Sequence, residues 1–344
     1  MSTALYRPDT ATERLHRLSQ QEFGALAEQH RRELQAHGYR LLGSAQEAED
    51  LVQETLLRAW RRRETFEGRA SFRAWLYKIA TNLGLDMLRQ RARRTLPVAR
   101  GPVASTDEPI PPDVREPIWL EPFPDDLLVS GEANPEARYS ARESVSLAFM
   151  TALHLLPPRQ RAVLLLRDVL DWQASEVAEL LDMTVPGVKS TLHRARATLG
   201  KYYPSPALDT PPAPALDEAK RDLLQRYVRA WEAADMEGLM ALLTTEATFS
   251  MPPVPAWYQG RENVGALVAK TIFSGQAKGR WRLLPTRANG QPAFGLYRRD
   301  QTDGGYAVYG IQVVTLAGDE IADITTFRTP ALGALFNLPA RLPG

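Results

Sequence analysis

Between Glu47 and Arg94 the apolar residues recur twice in succession at helical spacing, and this stretch constrains the fold most. Ala48, Leu51, Val52, Thr55, Leu56, Ala59 and Trp60 fall on one face of a helix predicted over Glu47–Arg62. Phe72, Trp75, Leu76, Ile79, Ala80, Leu83 and Met87 do the same over Ser71–Arg93. A short basic loop, Arg61–Ala70, joins them. The pattern demands a helical hairpin that buries its two apolar stripes together.

The polar faces differ. Glu49, Asp50, Gln53 and Glu54 make the first helix acidic, whereas Arg73, Lys78, Arg89 and Arg93 make the second basic. Two partners follow: a basic protein surface for the first helix, and nucleic acid for the loop and second helix. A merely solvated hairpin is the alternative reading of the charges. Phe66, Trp75 and Tyr77 beside Arg61, Arg62, Arg63, Arg69 and Arg73 are residue types that stack bases and neutralise a single strand. Phe72 and Trp75 lie on the apolar stripe and are read as core.

Asp50-Leu-Val-Gln-Glu-Thr-Leu56, then Phe66-x-Gly68-x-x-x-Phe72-x-x-Trp75-Leu76-x-x-Ile79-Ala80-x-Asn82-x-x-x-Asp86-x-x-Arg89, resembles region two of bacterial extracytoplasmic-function sigma factors. The resemblance implies that Asp50, Gln53 and Glu54 dock on the clamp helices of RNA polymerase core. It also implies that Arg63, Phe66, Arg69, Ser71 and Asn82 read the minus-ten element as single strand.

The chain has 344 residues, enough for two or three domains, and a formal net charge of +1. That near-neutrality averages a basic Arg58–Arg100 and an acidic Asp107–Glu136. With no cysteine, disulfides and thiolate metal sites are excluded, which fits a reducing cytosol. Met1–Arg17 lacks the apolar core of a signal peptide, and no apolar run reaches spanning length. A cytoplasmic protein without a membrane partner is therefore expected.

Taken in order, residues 1–18 read as a polar leader. A helix carrying Phe23, Leu26, Ala27 and Leu34 is predicted to end near Gly38, and Ser44 to cap the next. Residues 96–135 form an acidic linker rich in proline, where Trp119, Leu120 and Phe123 suggest contact with a surface. The sigma resemblance implies that such a linker threads the polymerase cleft. Helix resumes from Glu136. Gln173–Leu181, a turn at Asp182-Met-Thr184, and Val185–Leu199 read as a helix-turn-helix. Its outward Lys189, Ser190 and His193 are assigned to base edges, and Arg194 and Arg196 to phosphates. Leu156-Pro157, Arg161-x-x-Leu164 and Val188-Lys-Ser-x-Leu-x-Arg-Ala-Arg196 resemble sigma region four, which reads the minus-35 element and contacts the polymerase flap. Gly187 and Thr191 depart from the residues common in that family, so no promoter sequence transfers.

A second proline-rich linker spans 204–215. Beyond it, helices over Leu216–Ala233, Met236–Leu243 and Arg261–Phe273 mix with strands over Ala247–Met251, Arg280–Arg287, Pro292–Arg299, Tyr306–Leu316 and Ile321–Arg328. Asn289-Gly290 and Asp303-Gly304 are hairpin signals. Trp231, Glu246-Ala-Thr-Phe249 and Trp257-Tyr258-x-Gly260-Arg261 resemble a SnoaL-like domain, the cone fold of ketosteroid isomerases. Trp231, Phe249, Trp257, Tyr258 and Tyr309, with Met251 and Phe294, are the residues expected to line its pocket. No His follows Leu216, and Glu246, Asp303 and Asp323 form no recognisable acid–base pair, so no catalytic residue, metal ligand or cofactor is assigned.

The fold class is thus two all-α domains, residues 1–95 and 136–203, followed by an α+β cone domain, residues 216–344. The function expected is a sigma factor that binds core polymerase and promoter DNA and is modulated by the third domain, with a small-molecule ligand in its pocket. The competing readings are a SnoaL-like enzyme and a one-component DNA-binding regulator.

Overall fold

The computed structural model describes residues 15–68, 70–89, 94–97, 101–114, 119–128, 145–202 and 217–344. They form two compact units. The first gathers residues up to 89 with Leu127, Leu128 and residues 156–202. The second gathers residues 94–126, 145–155 and 217–344.

The first unit is all helical: α1 Gln20–Glu28, α2 Arg31–Leu42, α3 Ala45–Arg61 and α4 Phe72–Arg89. α1 opens with a reciprocal cap in which Glu22 N–H donates to Ser19 Oγ and Ser19 N–H to Glu22 Oε2. The chain does not leave the helix at Gly38, as the sequence predicts, but at Gly43, whose φ of 75° ends α2. Gly38 has a different purpose. A Cβ there would sit 3.3 Å from Ala48 Cα and Leu51 Cδ2, so its bare backbone lets α3 pack closely. Ser44 caps α3 as expected, accepting from Glu47 N–H.

The same unit holds α6 Pro158–Leu164, a π turn over Leu165–Val169, α7 Ala174–Leu180 and α8 Val185–Tyr202. Arg161, 1% exposed, donates from Nη1 to the Leu41 carbonyl at the end of α2. A helix C-terminus leaves carbonyls unpaired and carries partial negative charge, so a buried guanidinium is satisfied there. Tyr77 of α4 meets Trp172 edge-on with ring centres 5.5 Å apart. Lys78 Nζ donates to the Glu179 carbonyl.

The second unit is built on a sheet of β1 Leu243–Ser250, β2 Trp257–Gln259, β3 Trp281–Ala288, β4 Gln291–Arg299, β5 Tyr306–Ala317, β6 Glu320–Phe327 and β7 Arg341–Leu342. Strand order is β2-β1-β6-β5-β4-β3, with β7 on β5. Only β1 and β6 run parallel. Helices α9 Glu218–Ala233, α10 Met236–Met240 and α11 Arg261–Thr271 contribute apolar faces to one core. α5 Leu147–Leu155 and α12 Leu332–Leu335 complete the unit. The predicted strand at Ala247 begins earlier, at Leu243, which shortens α10 to Met240. β2 was not anticipated, because three residues show no alternation.

Gly310 marks a shift of register between β4 and β5. A Cβ there would lie 2.0 Å from the Phe327 carbonyl oxygen, so only glycine fits the approach of β6.

The described linker residues are fastened to the sheet. Ala104 N–H donates to Trp257 O and Val114 N–H to Pro253 O. Trp257 Nε1 donates to Gly101 O, and Asp113 pairs with Arg328. Farther on, Leu120 and Phe123 are fully buried, and Pro124 bridges to Ala288. The surface suggested by Trp119, Leu120 and Phe123 is therefore the chain's own third domain.

Candidate nucleic-acid interface and ligand cavity

α3 leaves Asp50 and Gln53 exposed, with Glu54 half-buried. Asp50 accepts from Gln46, 3.4 Å away, and Glu54 is drawn to Arg58 at 2.6 Å. The three residues stand one turn or less apart on the polar face of a helix whose other face is core. They make an accessible acidic patch.

The loop after α3 is less free than its composition suggests. Phe66, expected to reach a base, is 6% exposed and packs on Trp75 at 5.3 Å and Phe72 at 6.3 Å. Phe23 and Trp60 extend this cluster. Its burial follows from apolar area, which a loop aromatic removes from water wherever a helix offers a matching face. Arg63 lies over the Trp60 ring, 4.1 Å from its centre. Ser71 caps α4 by accepting from Ala74 N–H. Asn82 is exposed on α4. Arg69 lies outside the described residues.

Tyr77 corrects the sequence reading more sharply. Read there as a base-stacking residue, it is fully buried, donates to Glu33, and touches the His37 and Trp172 rings. Burial raises its phenol above the ordinary range, with the Glu33 charge adding to the effect. His37 beside it is held neutral, its pKa lowered to about 3 by burial and then by Arg40 and Arg73. Its Nε2 pairs with Thr81 Oγ1 at 2.9 Å, and its Nδ1 has no partner among the described residues.

In the helix-turn-helix, Asp182 takes φ 51° in the turn and Thr184 caps α8 by accepting from Gly187 N–H. Val188, Leu192 and Ala195 face inward. Lys189, Ser190, His193, Arg194 and Arg196 are all exposed, along one side of α8. Arg194 reaches Ser190 and Thr191 at 3.4 Å. Arg196 is different. It forms a two-pronged pair with Asp168, Nε–Oδ2 2.9 Å and Nη2–Oδ1 2.7 Å, which holds its charge on the protein. No signal in the sequence links residues 28 positions apart in this way.

The second unit contains a cavity of about 230 Å³. Trp231, Met251, Ile272, Trp281 and Leu296 form its apolar walls, while Tyr309, Arg280, Arg298 and Arg328 supply polar edges. Ile110 of the linker lies against it. Trp231 and Tyr309 thus stand where the sequence reading put them. Phe249 and Tyr258 do not line this space: they are buried in the core, at 0% and 2% exposure. Trp257 faces the linker at Gly101. Phe249 and Tyr258 are register partners on β1 and β2, and both belong to the core of the unit.

None of the three acids weighed as catalytic lines the cavity. Glu246 accepts from Gln259, and Asp303 from Gly305 N–H. Asp323 accepts from Thr248 and Thr325, and burial raises its pKa. Tyr227 donates to Gln312 at 2.6 Å beneath the sheet. No cluster of three or more metal-ligating side chains occurs among the described residues, and no described helix is long and apolar enough to cross a membrane.

Three family profiles match the chain: Sigma-70 region 2 over residues 26–94, Sigma-70 region 4 over 146–199, and a SnoaL-like domain over 224–324. The chain is 43% identical over 321 residues to the ECF RNA polymerase sigma factor SigG of Mycobacterium tuberculosis, covering 93% of this chain and 85% of that one. It is 32% identical over 230 residues to SigJ of the same organism, covering 67% and 63%. The crystal structure of SigJ has the same fold, with a TM-score of 0.58 over 93% of this chain and all of SigJ, at 23% identity.

Proposed function

The chain belongs to the ECF sigma factors of RNA polymerase, and from that membership we infer the work of its surfaces. Asp50, Gln53 and Glu54 dock on the polymerase core. Arg63, Phe66, Arg69, Ser71 and Asn82 engage the melted minus-ten element. Lys189, Ser190 and His193 meet base edges of the minus-35 element, and Arg194 and Arg196 meet phosphates.

The observation that carries the duplex assignment is the exposed row from Lys189 to Arg196 on α8, backed by an inner face of Val188, Thr191, Leu192 and Ala195. N-terminal residues of such a helix enter the major groove. In this reading Phe66 must leave its aromatic cluster to hold a base, and the unstacking of that base costs a further few kcal/mol. Promoter engagement also parts α4 from Trp172 and Glu179, because the minus-ten and minus-35 elements, about 25 base pairs apart, are separated by roughly 85 Å at 3.4 Å per step.

The third domain is read as regulatory, with a small molecule in its cavity. Its cavity lining carries no carboxylate or imidazole among the described residues, which favours binding over acid–base chemistry.

Run-off transcription with core polymerase and the full-length chain tests the assignment. Asp50→Lys with Glu54→Lys is expected to abolish core binding. Lys189→Ala is expected to leave core binding intact, weaken duplex promoter binding, and lower its salt slope by about one. Normal core affinity in the double variant would remove α3 from the docking surface.

A further inference from the structure

Three arginines, Arg280, Arg298 and Arg328, and no carboxylate among the described residues line the cavity. Arg280 spends its guanidinium on the carbonyls of Ile272, Ser274 and Gln276. Arg298 is exposed and pairs with no carboxylate among the described residues. Arg328 donates from Nε to the Tyr309 hydroxyl at 2.9 Å, and its two Nη atoms lie 3.1 and 3.5 Å from the Asp113 carboxylate. Asp113 belongs to the linker, not to the domain that builds the cavity. Ile110, three residues earlier, puts an apolar side chain against the same space. Linker residues therefore present an apolar group and a carboxylate, three positions apart, to aromatic walls and an arginine rim.

Behind them the Trp231 ring, 1% exposed, gives an apolar wall, and its indole N–H is within reach of the Tyr227 hydroxyl oxygen, which donates in turn to Gln312.

The geometry points to a small amphipathic anion, an aromatic or alicyclic carboxylate, as the ligand of this cavity, bound by displacing Asp113 from Arg328 and Ile110 from the apolar mouth. Arginine pairs well with carboxylates because its planar donors match two oxygens, and the half-exposed Asp113 gives its place up readily. Binding then unfastens residues 101–114 from the sheet, so the site is coupled to the linker between the two DNA-reading domains. This rests on the regulatory reading of the third domain. It is tested without polymerase, so failure of the promoter assignments and failure of the ligand assignment are separable.

The probe is 2-naphthoate, with neutral 2-naphthamide as its control, titrated into the full chain by calorimetry. Naphthoate is expected to bind at least tenfold more tightly than the amide. Asp113→Asn is expected to tighten naphthoate severalfold by removing the competitor, and Arg328→Gln to erase the preference for the carboxylate. Hydrogen exchange at saturation is expected to show faster exchange of the Ala104 and Val114 amides, which donate to Trp257 and Pro253, with no change at Asn289, whose amide donates to Phe123. Equal binding of naphthoate and amide, unchanged or slower exchange at Ala104 and Val114, or no binding at millimolar probe would each overturn the proposal. Because Arg328 also braces Tyr309, Asp113→Asn serves as the variant whose fold is not at risk.

Discussion

Replacing Asn289 with alanine should release the second half of the interdomain linker from the sheet. Asn289 is fully buried at the β3–β4 turn, with φ 56°. Its Oδ1 accepts from Phe123 N–H at 2.8 Å, its Nδ2 donates to the Val145 carbonyl at 2.5 Å, and its own N–H donates to Phe123 O at 2.9 Å. Alanine deletes the first two bonds and leaves a buried donor and a buried acceptor unpaired, at about 1–3 kcal/mol each. It also holds a Cβ residue without a local side-chain bond in the left-handed region, at about 1 kcal/mol. The loss is therefore about 3 kcal/mol or more, a large part of the 5–15 kcal/mol typical of a domain. A chain of several units does not unfold in two states, so the local opening is read by hydrogen exchange. The Gly290 amide, which donates to Asp125 of the linker, is the reporter. About 3 kcal/mol corresponds to at least hundredfold faster exchange there. Asn289→Gly keeps the backbone conformation and should recover about 1 kcal/mol of the loss. Exchange at Gly290 within threefold of the parent in Asn289→Ala would refute the clasp.

Three further outcomes are expected. His37 has a folded pKa of about 3 against 6.5 in the open chain, so the unfolded state takes up the proton first as pH falls. Stability of the helical unit should be full above pH 6.5 and decline by at most about 1.4 kcal/mol per pH unit towards pH 3, and urea titrations of His37→Gln should show a flatter profile over that window. Asp168→Ala should free Arg196 and tighten duplex binding severalfold at low salt, an effect that fades at high salt, as filter binding would measure. Gly310→Ala should cost the sheet about 3 kcal/mol or more because its Cβ meets the Phe327 carbonyl, and circular dichroism melting would show a lowered transition in the third domain.

Periodicity alone determined the helical hairpin, the helix-turn-helix and the later strands, because a 3.6- or 2-residue repeat is imposed by each element on its own side chains. The residue order across Asp50–Arg89 and Leu156–Arg196 was specific enough to indicate the family, and the exposed row on α8 could be read from its amphipathic pattern. Local spacing carries no information about partners distant in sequence. Only the tertiary structure turned Tyr77 and Phe66 inward, matched Arg196 to Asp168, and made Gly38 a packing glycine instead of a helix stop. It also decided the fate of the linker. Proline and acidic residues announced a spacer, whereas Phe123, Asp113 and Ile110 find buried or charged partners more than a hundred positions away on the third domain. Those contacts arise from shape and charge complementarity across a folded surface, which exists only once the sheet has assembled.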